Sequence, residues 1–197
     1  MTTSQGTPER SKPRILKVWI EKRHDEDPDL SFLGEWTDDL KPGVIVRALG
    51  EFYERLPVPT ERDVDGKFRR GDGPEVPARG REYRGFIPYA GGEKQGTAEF
   101  YEYGLQDWKR MEGLNRGDWC MLGIIAKAEV QSRAGEAWAP IQVLRSGGLW
   151  GVESDGGEYL GEVAKEELAN LRDELKAWGF GDRAIDYAFK SVEEVTK

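Results

Sequence analysis

Residues 146–180, SGGLWGVESDGGEYLGEVAKEELANLRDELKAWGF, constrain the fold more than any other part of the chain. They read as the glycine-punctuated end of a strand, an acidic turn, and a long helix with its own stop signal. Leu160, Val163, Ala164, Leu168, Leu171, Leu175 and Trp178 recur at helical spacing, so one face of that helix is predicted to be buried. Asp155, followed three residues later by Glu158, has the form of a reciprocal N-terminal cap. Gly179 before Phe180 suits a left-handed C-terminal cap with an apolar contact behind it. Such a helix demands a core to lie on, but it specifies no reaction.

The remaining segments supply that core. Leu16, Val18 and Ile20 alternate with Lys17, Trp19 and Glu21, the pattern of a half-buried strand. Residues 119–130 form the clearest strand, with Leu122, Ile124, Ala126, Ala128 and Val130 on one side. After a turn at 133–136, residues 138–145 return as its hairpin partner, and Pro140 marks an edge or a bulge. Shorter strands are predicted at 32–36, 44–53 and 83–89, with Leu49, Phe52 and Tyr53 available to a core. A helix beginning at Thr97 aligns Phe100, Tyr101, Gly104, Leu105, Trp108 and Met111, and ends at Asn115, Arg116 and Gly117. A last helix starts at Gly181 and Asp182, with Ile185, Ala188, Phe189 and Val192 inward.

This order predicts an α+β fold: an antiparallel sheet with one central helix and two C-terminal helices packed on one face. Residues 1–13, with Pro8 and Pro13, read as a disordered arm, and 14–197 as a single domain. Within it, 57–85 is a long loop rich in Arg, Gly and Pro, and 155–197 is an acidic helical part.

Charge is unevenly spread. The chain of 197 residues carries a net charge of −8, and residues 152–197 hold 12 acids against 6 bases. An acidic face of that kind repels duplex DNA and attracts basic partners, although most such faces are only solvated helix surface. No apolar run reaches the roughly 18 residues of a membrane span, and the polar start lacks the apolar core of a secretory signal. One cysteine excludes an intrachain disulfide. The expected location is the cytoplasm, with no membrane association.

Two segments, YGLQDWKRMEGLNRGDWCMLGIIAKAEV at 103–130 and IQVLRSGGLWGVESDGGEYLGEVAKEELANLRDELKAWGF at 141–180, together with DEDPDLSFLGEW at 25–36, resemble a family of uncharacterised proteins widespread in bacteriophages and other mobile elements. The resemblance implies a mobile-element origin, hence a bacterial host cytoplasm, and a shared fold. It carries no catalytic residues.

Three chemistries compete. Trp138 and Trp150 flank the hairpin edge and could anchor a protein partner, with Glu153, Asp155 and Glu158 as an acidic rim. Lys67, Arg69, Arg70, Arg79, Arg81 and Arg84, interleaved with Phe68, Tyr83 and Phe86, could hold single-stranded nucleic acid by charge and stacking. Asp25, Asp27 and Asp29, beside the sole histidine His24, could gather a hard cation for an enzyme. Against the metal site, the sixth position counted from Asp25 is Leu30 rather than the glycine of a calcium loop, and Pro28 stiffens the turn. Cys120 sits in an apolar strand, where a packed thiol is expected rather than a nucleophile. The glycines at 147, 148 and 151 match no phosphate-binding fingerprint. The expectation is a non-enzymatic accessory protein without cofactor, acting on a host or phage protein and modulating host defence, with nucleic-acid binding and metal-dependent catalysis as successive alternatives.

Overall fold

The computed structural model describes residues 12–56, 83–134 and 136–196. The fold is α+β, as the element order predicts, but the strands belong to two sheets. Residue contacts divide the chain into two compact units. The first takes the described residues through Pro28 and those from Cys120 onward; the second takes Asp29–Trp119.

In the first unit, β1 (Arg14–His24) pairs antiparallel with β6 (Met121–Ala134) from Arg14 opposite Gln131 to His24 opposite Leu122. The other side of β6 carries two strands in line. β7 (Ala137–Arg145) runs antiparallel along its second half, and β8 (Leu149–Glu153) along its first. On the far side of β1, β9 (Val192–Thr196) adds a parallel edge, Val18 opposite Val192 through Lys22 opposite Thr196. That strand falls where Val192 was expected on a helix. The residue is directed inward as expected, but by the period of a strand.

Helices α2 (Glu158–Ala177) and α3 (Asp182–Ala188) cover one face of this sheet. Val18, Ile20, Ile124, Ala126, Ala128, Val130, Leu144 and Val152 from the strands meet Val163, Leu171, Leu175 and Ile185 from the helices. Each fully buried valine, leucine or isoleucine here contributes about 1.5–3 kcal/mol relative to exposure. The α2 stripe matches the predicted face except at its end, since Trp178 is 54% exposed. The helix does not start at Asp155, where the reciprocal cap with Glu158 was expected. Gly157, at φ 57°, occupies the N-cap position with no side-chain hydrogen bond to it, and Glu158 already lies in the first turn. The other end follows expectation. Gly179 at φ 90° donates to the Lys176 carbonyl at 2.9 Å, and Phe180 N–H to the Leu175 carbonyl at 3.1 Å.

The second unit has a four-stranded sheet in the order β2 (Gly34–Thr37), β5 (Gly85–Pro88), β3 (Ile45–Val46), β4 (Glu51–Phe52), and helix α1 (Ala98–Arg116). The single strand expected over 44–53 is instead two short strands, because Leu49 and Gly50 donate back to the Val46 carbonyl and reverse the chain. Leu49 is exposed at that turn rather than in the core. Gly50, at φ 64°, lies where a Cβ would meet the Trp108 ring at 2.6 Å, so the turn and the helix are fitted to each other through the absent side chain. The Thr97 hydroxyl caps α1 by accepting from Phe100 N–H at 3.2 Å, and Gly117 at φ 76° ends it. Phe52 meets Phe100 and Tyr101 at ring separations of 5.6 and 4.8 Å. Among the described residues, no helix is long and apolar enough to cross a membrane.

Candidate contact surface

The collinear pair β7–β8 forms one edge of the first unit's sheet. Where the two strands break, Ser146 keeps the ladder intact: its N–H donates to the Ala126 carbonyl at 2.9 Å and its hydroxyl accepts from Ala126 N–H at 3.0 Å. Gly148, at φ 81°, turns its N–H to the carboxylate of Glu167 at 2.9 Å. Glu167 lies on the inward side of α2 and is 6% exposed, so helix and edge are tied by a charge-assisted hydrogen bond out of water.

Five large apolar side chains along this edge are exposed, beside the exposed Gln142 and Arg145. Trp138, Ile141, Val143, Leu149 and Trp150 are all exposed, Ile141 by 55% and Val143 by 48%. Pro140 has the predicted role in both senses, since β7 is an edge strand and its register with β6 shifts between Val130 and Gln131. A proline within the strand removes a backbone donor, which disfavours strand addition there. Contact at this edge therefore falls to the side chains.

Trp150 lies across Gly123 on the sheet face away from the helices; a Cβ at Gly123 would come within 2.5 Å of the indole. Trp138 lies under the Arg14 guanidinium at 4.1 Å, which also donates to Gln131 Oε1. The two tryptophans sit beside β6 positions 133 and 123, about 33 Å apart at the usual strand rise. They are separate anchors at the ends of one edge rather than a single hot spot. Glu153, Asp155 and Glu158 gather at the Trp150 end, on β8 and the turn into α2, with Asp155 and Glu158 exposed.

The other candidates are placed differently. Asp25 Oδ1 accepts from Asp27 N–H at 3.3 Å and Asp29 Oδ1 from Ser31 N–H at 2.9 Å, so these carboxylates hold local turns. The Ser31 backbone N–H draws the Asp29 pKa below its ordinary value. Asp25 and Asp29 fall in different units, and among the described residues no three His, Cys, Asp or Glu side chains converge to hold a metal ion. His24 borders a 440 Å³ cleft with Glu21, Arg23, Glu26 and Lys127. Lys127 Nζ meets Glu21 Oε1 at 2.8 Å, and Glu21 is 2% exposed, so that pair sits as a buried ion pair in the cleft lining. Cys120 is half-buried, its N–H donating to Ser154 Oγ at 2.9 Å and its carbonyl accepting from Ser154 N–H at 2.8 Å. Of the arginine-loop candidates, Lys67, Arg69, Arg70, Arg79 and Arg81 lie outside the described residues. Arg84 carries a guanidinium nitrogen that is buried.

Glu167, Ser146 and Gly123 were missed as parts of this edge. For Glu167 the signal was present: it stands four residues from both Val163 and Leu171, a carboxylate in the middle of the apolar stripe. Comparison with family models, with curated proteins and with solved structures finds no match to this chain.

Proposed function

We propose that this chain is a binding protein of bacteriophage or mobile-element origin that acts in the host cytoplasm by engaging a host or phage protein. The observation that carries this reading is the β7–β8 edge, with five exposed apolar side chains on a rigid ladder. Aromatic anchors on a preorganised scaffold supply contact area at little entropic cost. Trp150, with Glu153, Asp155 and Glu158 around it, favours a partner with an apolar patch rimmed by basic groups. Modulation of host defence is the role in which such a contact protein would serve a mobile element.

The test compares the wild-type chain with the double variant Ile141→Glu, Val143→Glu as bait in bacterial host lysate. A stoichiometric partner held by the wild type and lost by the variant, with the melting temperature unchanged, is the expected result. Retention of the same partner by the variant, or recovery of none, overturns the assignment of this edge. Salt-sensitive retention of nucleic acid alone would instead favour the arginine loop.

A further inference from the structure

The opposite edge of the same sheet has a different character. β9 pairs with β1 only from Val18 to Lys22, so among the described residues no strand lies on that side of β1 at positions 14–17, where β6 alone pairs with it on the other side. A bulge between Ile15 and Lys17 takes Leu16 out of the ladder and leaves it 48% exposed. Bulges re-aim side chains in this way beside functional surfaces. Along this open edge runs a groove of 1110 Å³, walled by Leu16 on one side and by Arg183, Asp186, Tyr187 and Lys190 of the α3 region on the other. Tyr187 is 76% exposed, the most uncovered large hydrophobic side chain among the described residues.

The charge in the groove runs against its surroundings. Residues 152–197 carry twice as many acids as bases, yet the groove presents Arg183 and Lys190. Its acid, Asp186, is bonded to Arg172 at 2.7 Å and so is already neutralised. The Arg14 guanidinium is turned to Gln131 and Trp138, which leaves Arg183, and Lys190 standing 5.7 Å over the Tyr187 ring, as the cations facing an occupant.

We infer that this groove binds an extended acidic peptide, which adds a strand beside β1 at residues 14–17 and sets apolar side chains against Leu16 and Tyr187. An unpaired strand edge supplies directional backbone hydrogen bonds, and pockets for alternate side chains supply selectivity. The two cations then select carboxylates flanking the apolar residues. Pro13 lines the end of the groove, and residues 14–17 beyond it contain no proline, whereas in β7 the proline lies within the strand. The surface is distinct from the β7–β8 edge, so each can fail without the other.

The test is fluorescence anisotropy of the full chain with a labelled peptide of about eight residues that alternates glutamate with valine and phenylalanine. Saturable binding is expected, weakened about tenfold or more by replacing the glutamates with lysine, and about as much by the protein variant Arg183→Glu, Lys190→Glu. Methylating alternate peptide nitrogens removes donors along one edge and is expected to weaken binding about fivefold or more. Leu16→Ser, an exposed position that leaves the fold intact, reports the apolar contact by a further loss. Equal binding of the lysine peptide, indifference to the charge reversal, or no saturation up to about 1 mM overturns the proposal. Tighter binding of an oligothymidylate or of phosphatidylglycerol vesicles than of the acidic peptide overturns it as well, by assigning the groove to another anion.

Discussion

The backbone N–H of Gly148 points at the carboxylate of Glu167 across 2.9 Å, and this one bond joins the break in the edge strand to the inner face of α2. A carboxylate on the apolar stripe of a helix would be costly without a donor, since burying an unsatisfied charged group far exceeds the worth of a hydrogen bond. Here Asn170 Nδ2 donates to one oxygen at 3.4 Å and Gly148 more closely to the other; Gly148 has a positive φ, and a Cβ there would come within 2.9 Å of Ile125.

Glu167→Ala is expected to destabilise the chain by about 1.5–3 kcal/mol, the range for hydrogen bonds to charged groups. Glu167→Gln keeps an acceptor and is expected to cost less than half as much. Urea unfolding of the three proteins measures this, and an alanine variant as stable as wild type would show that the bond carries no net stability.

Gly123→Ala is expected to displace the Trp150 indole, shifting its fluorescence and costing about 1 kcal/mol through the forced rearrangement. In a Trp150→Ala background the same substitution should stabilise by about 0.5–1 kcal/mol, because alanine loses less backbone entropy than glycine on folding. A double-mutant cycle by thermal unfolding reads the change of sign. Equal effects in both backgrounds would mean that the indole does not lean on Gly123.

Asp107 accepts the N–H of Ala90 at 2.6 Å and holds that residue at φ 51°, a left-handed conformation that alanine rarely adopts. Burial raises the Asp107 pKa above its ordinary value, against a smaller opposing effect of the Ala90 N–H. A raised carboxylate binds more protons folded than unfolded, so its contribution to stability falls as pH rises from the ordinary aspartate pKa through the raised value. Asp107→Asn should remove that slope while its carbonyl keeps the Ala90 contact. Unfolding free energies measured across that pH window check it, and an identical slope in both proteins would contradict the assignment to Asp107.

Arg47 is bonded to Glu112 at 2.6 Å and lies 4.3 Å over the Trp36 ring. Lysine can keep the charge but neither the forked contact nor the stacking, so Arg47→Lys is expected to cost about 1–2 kcal/mol. Denaturant unfolding of Arg47→Lys and Trp36→Leu, singly and together, separates the two contacts. A lysine variant within about 0.3 kcal/mol of wild type would show that charge alone suffices.

What the linear order determined was local. The α2 stripe, the Thr97–Gly117 helix, the Gly179 stop, the alternation along β6 and the dual role of Pro140 all follow from periodicity and backbone preference over a few residues. What only the tertiary structure decided was pairing at a distance. β9 lies beside β1 across more than 160 residues of chain, a 44–53 strand became two because its middle folds back, and Gly157 rather than Asp155 begins α2. Glu167, Gly148 and Leu16 acquire their parts from elements that meet only after folding. Short-range sterics write helices and strands into a sequence; which edge stays open and which carboxylate finds a donor depend on long-range packing, where many arrangements satisfy the same local pattern.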